Sequence, residues 1–285
     1  MKKFGTFYII LVFTILYIPI AVLVLFSFNN SGNTGAMTGV SLYWYDELFH
    51  SPDTFDALKN TLILAVSSAI VSTIIATAAA VGLDRMQSRG LRTAINSVTN
   101  IPMMNPDIVT GISMMLLFVA AGTIIGLSEK LSFVTLFIAH VTFEIPYVLL
   151  NVMPRVRAID KQIPNAALDL GCTPLQSFFK VELPLIMPGV LTGAIMAFTL
   201  SLDDFVISYF TNGNDFQTLP LLIYSMTKKE VKPDIYALST LMIAAIFILL
   251  VLTNWMGDRD ERKLRKKLKA QARYRAALAG KEADR

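Results

Sequence analysis

The carboxylates that interrupt the apolar stretches of this chain are its most informative chemical groups. Asp203 and Asp204 are adjacent within F-T-L-S-L-D-D-F-V-I-S-Y-F, and Glu144 lies one helical turn after His140 in another apolar run. A carboxylate within the membrane is costly unless it is protonated, paired or in water. Two adjacent carboxylates therefore predict a cationic ligand, a shared proton or salt-bridge partners.

A substrate pathway is the preferred interpretation of this pair, and a structural ion pair is the alternative. At about 100° per residue, a continuous helix places Asp204 on the small-residue face that recurs every fourth residue from Gly189 to Ser201, whereas Asp203 points about 100° away. Asp204 is thus expected to meet a helix interface or an internal pathway. A lone membrane histidine such as His140 is more often a packing residue than a ligand. The predicted pathway residues are Asp203, Asp204, Glu144, Ser201 and Ser208.

A second polar interruption, Asn105-Pro106-Asp107, lies within a third apolar run. One interpretation is a helix restart, with Asn105 as the cap, Pro106 at the first position and Asp107 near the positive end of the helix dipole. The other interpretation is a gate or exit carboxylate for a substrate.

Motifs for catalysis and metal binding are missing from the sequence. It contains no G-x-x-x-x-G-K-[ST], G-x-S-x-G or H-E-x-x-H motif, and Cys172 is its single cysteine. We therefore predict a chain that is not an enzyme, that holds no metal and that binds no cofactor of its own. Its excess of basic residues lies at membrane edges and in the tail, which favours orientation in a bilayer over nucleic-acid binding.

The composition indicates an all-α integral membrane protein. Of 285 residues, 54% are hydrophobic and 16% charged, against about 25% charged in an ordinary soluble domain. Six stretches approach the roughly 20 apolar residues that cross a bilayer. The predicted spans are Phe7 to Phe28, Thr61 to Leu83, Ile101 to Ala121, Leu131 to Met153, Leu185 to Phe210 and Ile235 to Met256.

The positive charges predict the orientation of these spans. All but five of the 25 Lys and Arg residues fall in the two terminal segments and in the loops after the second and fourth spans. Because basic residues concentrate on the cytoplasmic side, both termini and these two loops are expected there. We predict a membrane domain over residues 1–257, with a cytoplasmic loop at 154–184, and a basic cytoplasmic tail over 258–285 that rests on membrane lipid.

Small residues mark one face of the second span. The residues that recur there at helical spacing are Ala65, Ala69, Ser72, Ala76 and Ala80. Such a face predicts an interior helix.

The loop between the first two spans carries acidic residues beside Tyr43-Trp44-Tyr45. We interpret it as an amphipathic helix with aromatic anchors, and the alternative is an acidic landing surface for a partner or a cation.

The predicted cytoplasmic loop contains two short helices joined by a tight turn. Gly171 follows Leu170, and glycine best tolerates the left-handed conformation that ends a helix. Thr173 then begins a second helix, with Pro174 at its first position and Gln176 placed to complete a capping box. We call the stretch from Pro164 to Pro188 the elbow.

The elbow resembles the EAA loop of permease subunits of ABC importers, whose pattern is E-A-A-x-x-x-G, nine residues, then I-x-L-P. Here it reads N-A-A-L-D-L-G, nine residues, then V-E-L-P, so that Asn165 stands where the family has Glu. The resemblance implies a coupling helix between spans 4 and 5 that docks on an ATPase. The implied coupling residues are Asn165, Ala166, Ala167, Leu168, Asp169, Gly171 and Pro174.

Segments along nearly the whole chain, including N-P-D-I-V-T-G-I-S, H-V-T-F and S-L-D-D-F-V-I-S, resemble the spermidine/putrescine permeases within these importers. The resemblance implies a multi-pass protein of the bacterial cytoplasmic membrane that imports polyamines. It also implies a second permease subunit, an extracytoplasmic binding protein and an ATPase dimer that carries ATP and Mg. The alternatives are an importer of another small solute, an ion-coupled secondary transporter that uses the membrane carboxylates, or a membrane scaffold that transports nothing.

Overall fold

The computed structural model describes residues 2–30, 37–127, 130–160, 162–213, 216–228 and 233–251. Within these residues the fold is helical, and its β-like feature is an isolated bridge between Asn29 and Val40. The described part of the chain contains six helices long and apolar enough to cross a membrane, which confirms the predicted number. The predicted basic tail lies outside the described residues. The candidate spans are Gly5–Phe26, Pro52–Arg85, Asp107–Ile125, Phe133–Arg157, Pro174–Asp203 and Pro233–Val251.

Short helices connect or extend several of these spans. In the last loop between spans, for example, a helix begins at Leu219 immediately after Thr218. The helices in chain order are α1 (Lys2–Phe26), α2 (Tyr43–His50), α3 (Pro52–Arg85), α4 (Arg89–Met104), α5 (Asp107–Ile125), α6 (Phe133–Arg157), α7 (Gln162–Asp169), α8 (Pro174–Ser177), α9 (Leu183–Asp203), α10 (Val206–Thr211), α11 (Leu219–Thr227) and α12 (Pro233–Val251). A π-helical turn, Phe178–Glu182, joins α8 to α9.

The chain forms two compact units, and the long helices α3, α6, α9 and α12 contribute residues to both. The first unit consists of Met1–Ser68, Met104–Thr142 and Thr199–Phe247, and the second mainly of Ala69–Met103 and Phe143–Phe198. In the first unit, apolar side chains of α2, α3, α11 and α12 form a core. In the second unit, the core lies between α3, α6 and α9.

The small-residue face predicted for the second span is confirmed. Ala65, Ala69, Ser72, Ala76 and Ala80 are all buried on α3. Large apolar residues of the same helix are exposed instead, as expected for a helix whose small face packs against protein and whose large side chains face lipid.

Helix α9 approaches α6 closely within the second unit because glycine occupies the contact positions. A Cβ atom at Gly193 would lie 2.9 Å from Val148 Cγ1 and 3.3 Å from the Val148 backbone. At Gly189, it would lie 2.9 Å from the carbonyl oxygen of Asn151. Neither distance accommodates a methyl group without a shift, so the two helix backbones can pack at this separation only with glycine.

The third predicted span is shorter than expected, because the polar interruption separates two helices. Helix α4 ends at Met104 and α5 begins at Asp107. The residue before a proline is disfavoured in α-helical conformation, which explains the break at Asn105. The restart is therefore confirmed, but its cap is not Asn105: Pro106 is the N-cap residue, and α5 has no side-chain cap.

The fifth predicted span ends before its expected limit at Phe210. Helix α9 stops at Asp203, and the separate helix α10 begins at Val206. The prediction that Asp204 continues the small-residue face of one helix is wrong. The Asp204 carboxylate binds backbone N–H groups of α10, and such a side chain competes with continuation of a helix.

The loop between the first two spans is held to its own chain by its aromatic residues. The indole N–H of Trp44 donates to the Asn29 carbonyl oxygen at 2.9 Å, and the Tyr45 hydroxyl lies 2.7 Å from Ser27 Oγ. The predicted amphipathic helix is present as α2, which buries Leu48 and leaves Tyr43 exposed.

We expect the substitution Gly193→Ala to lower the free energy of unfolding by about 1–3 kcal/mol, since overpacking of a tight core contact has this cost. The matched control is Gly82→Ala, because a Cβ atom at Gly82 in α3 meets nothing within 4 Å. Thermal unfolding in detergent measures both. Equal unfolding temperatures for Gly193→Ala and the wild type would contradict the close packing of α9 and α6.

Candidate functional site

The break in the fifth span is organised by Asp204. Its Oδ2 atom accepts the backbone N–H of Ser208 at 2.8 Å, and its Oδ1 atom accepts that of Ile207 at 3.3 Å. The first N–H groups of a helix have no partner within the helix, so a carboxylate there satisfies them and opposes the positive end of the helix dipole. Asp204 precedes the N-cap residue Phe205, so its side chain caps α10 from the position before the N-cap.

A buried histidine connects this cap to the neighbouring helices of the first unit. His140 Nε2 lies 3.0 Å from Ser208 Oγ and 3.5 Å from Asp204 Oδ2, while its Nδ1 lies 2.8 Å from Ser201 Oγ. The Ser68 hydroxyl donates to Ser201 at 3.2 Å, which extends the network to α3. His140 is 1% exposed. Because both ring nitrogens have polar neighbours, the arrangement stabilises one ring orientation and joins α3, α6, α9 and α10.

Asp203 differs sharply from Asp204, although the two residues are adjacent. It is the last residue of α9 and is exposed on the surface of this chain, whereas the Asp204 side chain is 9% exposed. Of the two carboxylates, Asp203 is thus the one that a ligand outside the chain reaches.

The other predicted pathway residues are all buried. Ser201 and Ser208 belong to the His140 network. Glu144 is fully buried in the second unit, where it accepts a 2.7 Å hydrogen bond from the Ser72 hydroxyl. The structure therefore separates the predicted pathway set into one exposed carboxylate and four buried groups, and it places Glu144 in a different unit from Asp203 and Asp204.

The elbow has the capped construction that the sequence predicts. Thr173 and Gln176 form a reciprocal capping box, with Pro174 at the start of α8. Gly171 has φ +88°, and the N–H groups of Gly171 and Cys172 donate to the carbonyl oxygens of Leu168 and Ala167. This pair of bonds is the Schellman pattern, which satisfies the last carbonyl groups of α7. The turn between α7 and α8 is thus specified by backbone hydrogen bonds.

The exposed side of the elbow is apolar. Leu170 is 86% exposed and Leu175 is 71% exposed. Among the predicted coupling residues, Ala167 is buried against its own chain, whereas Ala166 is exposed and presents the small side chain at the surface. An exposed apolar surface on a rigid hairpin is typical of a protein-protein contact.

An ion pair that sequence reasoning missed ties the elbow to α3. Glu182, in the π-helical turn, is buried, and its carboxylate pairs with the guanidinium group of Arg85, the last residue of α3. Beside this pair is a cavity of about 560 Å³, and Asn165 and Arg92 contribute to its lining. The motif did not indicate this pair, because Glu182 occupies the unspecified position of V-E-L-P and Arg85 lies 97 residues earlier in the chain.

The residues of the second polar interruption, Asn105, Pro106 and Asp107, are all exposed between α4 and α5. Their role as a gate stays a prediction.

A metal site finds no support among the described residues, in which no group of three or more His, Cys, Asp or Glu side chains is placed to hold an ion.

The sequence matches the family described as "Binding-protein-dependent transport system inner membrane component" over residues 72–266. The chain belongs to this family. Membership of this family and the six apolar helices establish that the chain is a multi-pass membrane component of a transport system, as predicted.

This chain is 40% identical over 256 residues to the putrescine transport system permease protein PotI of Escherichia coli (strain K12), covering 90% of this chain and 91% of that protein. It is 37% identical to the spermidine/putrescine permease protein PotC of Haemophilus influenzae, covering 89% and 96% of the two chains.

Solved structures of ABC transporters share the fold of this transport component. A chain of the bacterial alginate ABC transporter, in complex with alginate pentasaccharide-bound periplasmic protein, superposes with a TM-score of 0.67 at 16% identity, covering 90% of this chain and 96% of that one. A chain of the MetNI methionine ABC transporter superposes with a TM-score of 0.56 at 19% identity, covering 74% and 98%. The fold is therefore that of an ABC importer permease.

The capping role of Asp204 leads to a prediction about stability. We expect Asp204→Ala to lower the free energy of unfolding by about 1–2 kcal/mol, the usual cost of removing a helix cap. Asp204→Asn is the matched variant, because its amide oxygen still accepts one of the two N–H bonds, and its cost is smaller. Hydrogen exchange at the amides of Ile207 and Ser208, with thermal unfolding, measures the effect. Unchanged exchange in Asp204→Ala would contradict the cap.

Proposed function

We propose that this chain is a permease subunit of an ATP-driven importer of polyamines in the bacterial cytoplasmic membrane. The observation that carries the proposal is its 40% identity, over 90% of its length, to a putrescine transport system permease. In this proposal the chain forms the pathway together with a second, related permease subunit. An extracytoplasmic binding protein delivers the substrate, and an ATPase dimer binds ATP and Mg.

The exposed carboxylate supports a cationic substrate. Polyamines are flexible chains with several positive charges, and they lose hydration when they enter a membrane protein. Asp203 presents a carboxylate at the surface of the first unit, where it compensates an ammonium group during passage. Asp204 acts indirectly in this proposal, because its oxygen atoms already bind the backbone of α10.

The elbow supports a partner ATPase on the cytoplasmic side. The charge distribution favours cytoplasmic termini and a cytoplasmic elbow. Docking then rests on the shape of the elbow and on its exposed leucines, since Asn165 carries no charge. In this proposal the cytoplasmic loop 154–184 belongs to a membrane domain over 1–257, and the basic segment 258–285 is a cytoplasmic tail.

The second unit offers a physical route from the elbow to the membrane helices. The elbow continues into α9 through the π-helical turn, its Glu182 is paired with Arg85 of α3, and α9 is closely packed on α6. A displacement of the elbow by closing ATPase subunits is therefore transmitted to three helices as a rigid-body movement.

Uptake by proteoliposomes tests the proposal. We expect putrescine uptake to require ATP and the ATPase, and we expect Asp203→Asn to reduce its rate about tenfold, because hydrogen bonds to charged groups contribute about 1.5–3 kcal/mol. Asp56→Asn, which removes an exposed carboxylate from the first turns of α3, is the matched control and should transport normally. Uptake driven by an ion gradient without the ATPase would instead indicate a secondary transporter.

Association with the ATPase tests the elbow. We expect Leu170→Asp to abolish co-purification of the ATPase, because a charge replaces an apolar side chain that is exposed in this chain. Leu170→Met keeps the apolar surface and should retain the ATPase. Thermal unfolding of both variants should match the wild type. Full retention of the ATPase by Leu170→Asp would place its docking surface elsewhere.

A further inference from the structure

Three aromatic rings form a compact cluster directly after the exposed carboxylate. The ring of Phe205 lies 4.6 Å from that of Tyr224 and 5.5 Å from that of Tyr209, measured between centroids. Tyr209 and Tyr224 are also 5.5 Å apart, with their planes at 83°. The break between helices α9 and α10 brings Phe205 and Tyr209 close to Tyr224 of α11. We call these three residues the aromatic cluster.

An ammonium group already lies on the aromatic cluster. Lys228 Nζ is 4.6 Å above the centroid of the Tyr224 ring, within the range of a cation–π interaction. The pKa of Lys228 is raised above its ordinary value, first because of a hydrogen bond with the Tyr224 side chain and then through charge interactions with Tyr224 and Tyr209. This face of the cluster thus accepts a primary alkylammonium group.

An apolar cavity continues from two of the same rings. Its volume is about 390 Å³, and Phe205 and Tyr224 line it together with Pro220, Ile223 and Met242. A polyamine alternates ammonium groups with short methylene chains. The cluster and the cavity offer surfaces for both parts, with the exposed carboxylate of Asp203 two residues before Phe205.

We propose that the aromatic cluster is a binding site for a primary alkylammonium group and that the Lys228 ammonium competes with the ligand for the face of Tyr224. The proposal rests on the proposed function, since it names the part of this chain that recognises the end of a polyamine. Lys228 is a built-in competitor, so its removal strengthens binding, whereas loss of the Tyr224 ring weakens it.

Opposite effects of two substitutions test this site. Binding of radiolabelled putrescine is measured on the purified complex of both permeases and the ATPase, without the binding protein. We expect Tyr224→Leu to raise the Kd about two- to fivefold, the size of an exposed cation–π contribution, and Lys228→Gln to lower it by a similar factor. Lys228→Arg retains the cation and should bind as the wild type does. Tyr224→Phe retains the ring but loses the hydroxyl group that bonds to Lys228, so it should bind at least as tightly as the wild type.

One control tests whether any loss of positive charge changes putrescine binding, and a second comparison distinguishes failure of the site from failure of the proposed function. Lys59→Gln removes one exposed positive charge from α3 and should leave the Kd unchanged. A complex that imports putrescine but shows equal Kd values for Tyr224→Leu, Lys228→Gln and the wild type would overturn the site and leave the function standing. If the wild type imports no putrescine, but n-butylammonium binding shows the same opposite effects, the site stands and the function fails.

Discussion

The backbone N–H groups that begin α10 must be satisfied in a buried, apolar environment, and the Asp204 carboxylate does this. That carboxylate in turn needs polar neighbours, which His140 and the serines around it supply. The break in the fifth span depends on this interaction. Because α9 ends there, Asp203 is exposed at a helix end and Phe205 reaches the ring of Tyr224. The groups proposed to meet the substrate are therefore positioned by a residue that is itself buried.

The second unit depends on close packing and one ion pair. Glycine at positions 189 and 193 allows α9 to approach α6, and the Arg85 guanidinium compensates the buried charge of Glu182. The pair is only partly buried, since the Arg85 side chain is 53% exposed and that of Glu182 is 8% exposed, but loss of the guanidinium would leave a buried carboxylate without its partner. The elbow is thus attached to α3 by the ion pair and to α9 by continuous chain.

Local rules made much of this structure predictable. The six spans follow from length and composition, and the ends of α7 and α8 follow from Gly171 and Thr173, whose capping partners are within five residues. Long-range contacts were not predictable. The sequence predicts one continuous helix through Asp204, and the His140 ring that contacts the Asp204 carboxylate comes from another span. The pairing of Arg85 with Glu182 joins residues 97 positions apart. The burial of Ala167 also depends on how α7 packs, which its motif does not specify.

The difference in solvent exposure between Asp203 and the buried His140 network is tested most directly by the reactivity of introduced cysteines. In a Cys172→Ser background, Asp203→Cys and Ser208→Cys each introduce one thiol, the first at an exposed position and the second at a fully buried one. A cationic methanethiosulfonate reagent is applied to the assembled complex with and without putrescine. We expect fast modification at position 203, slowed by putrescine, and no modification at position 208. Equal reaction rates at the two positions, or no effect of putrescine at position 203, would contradict it.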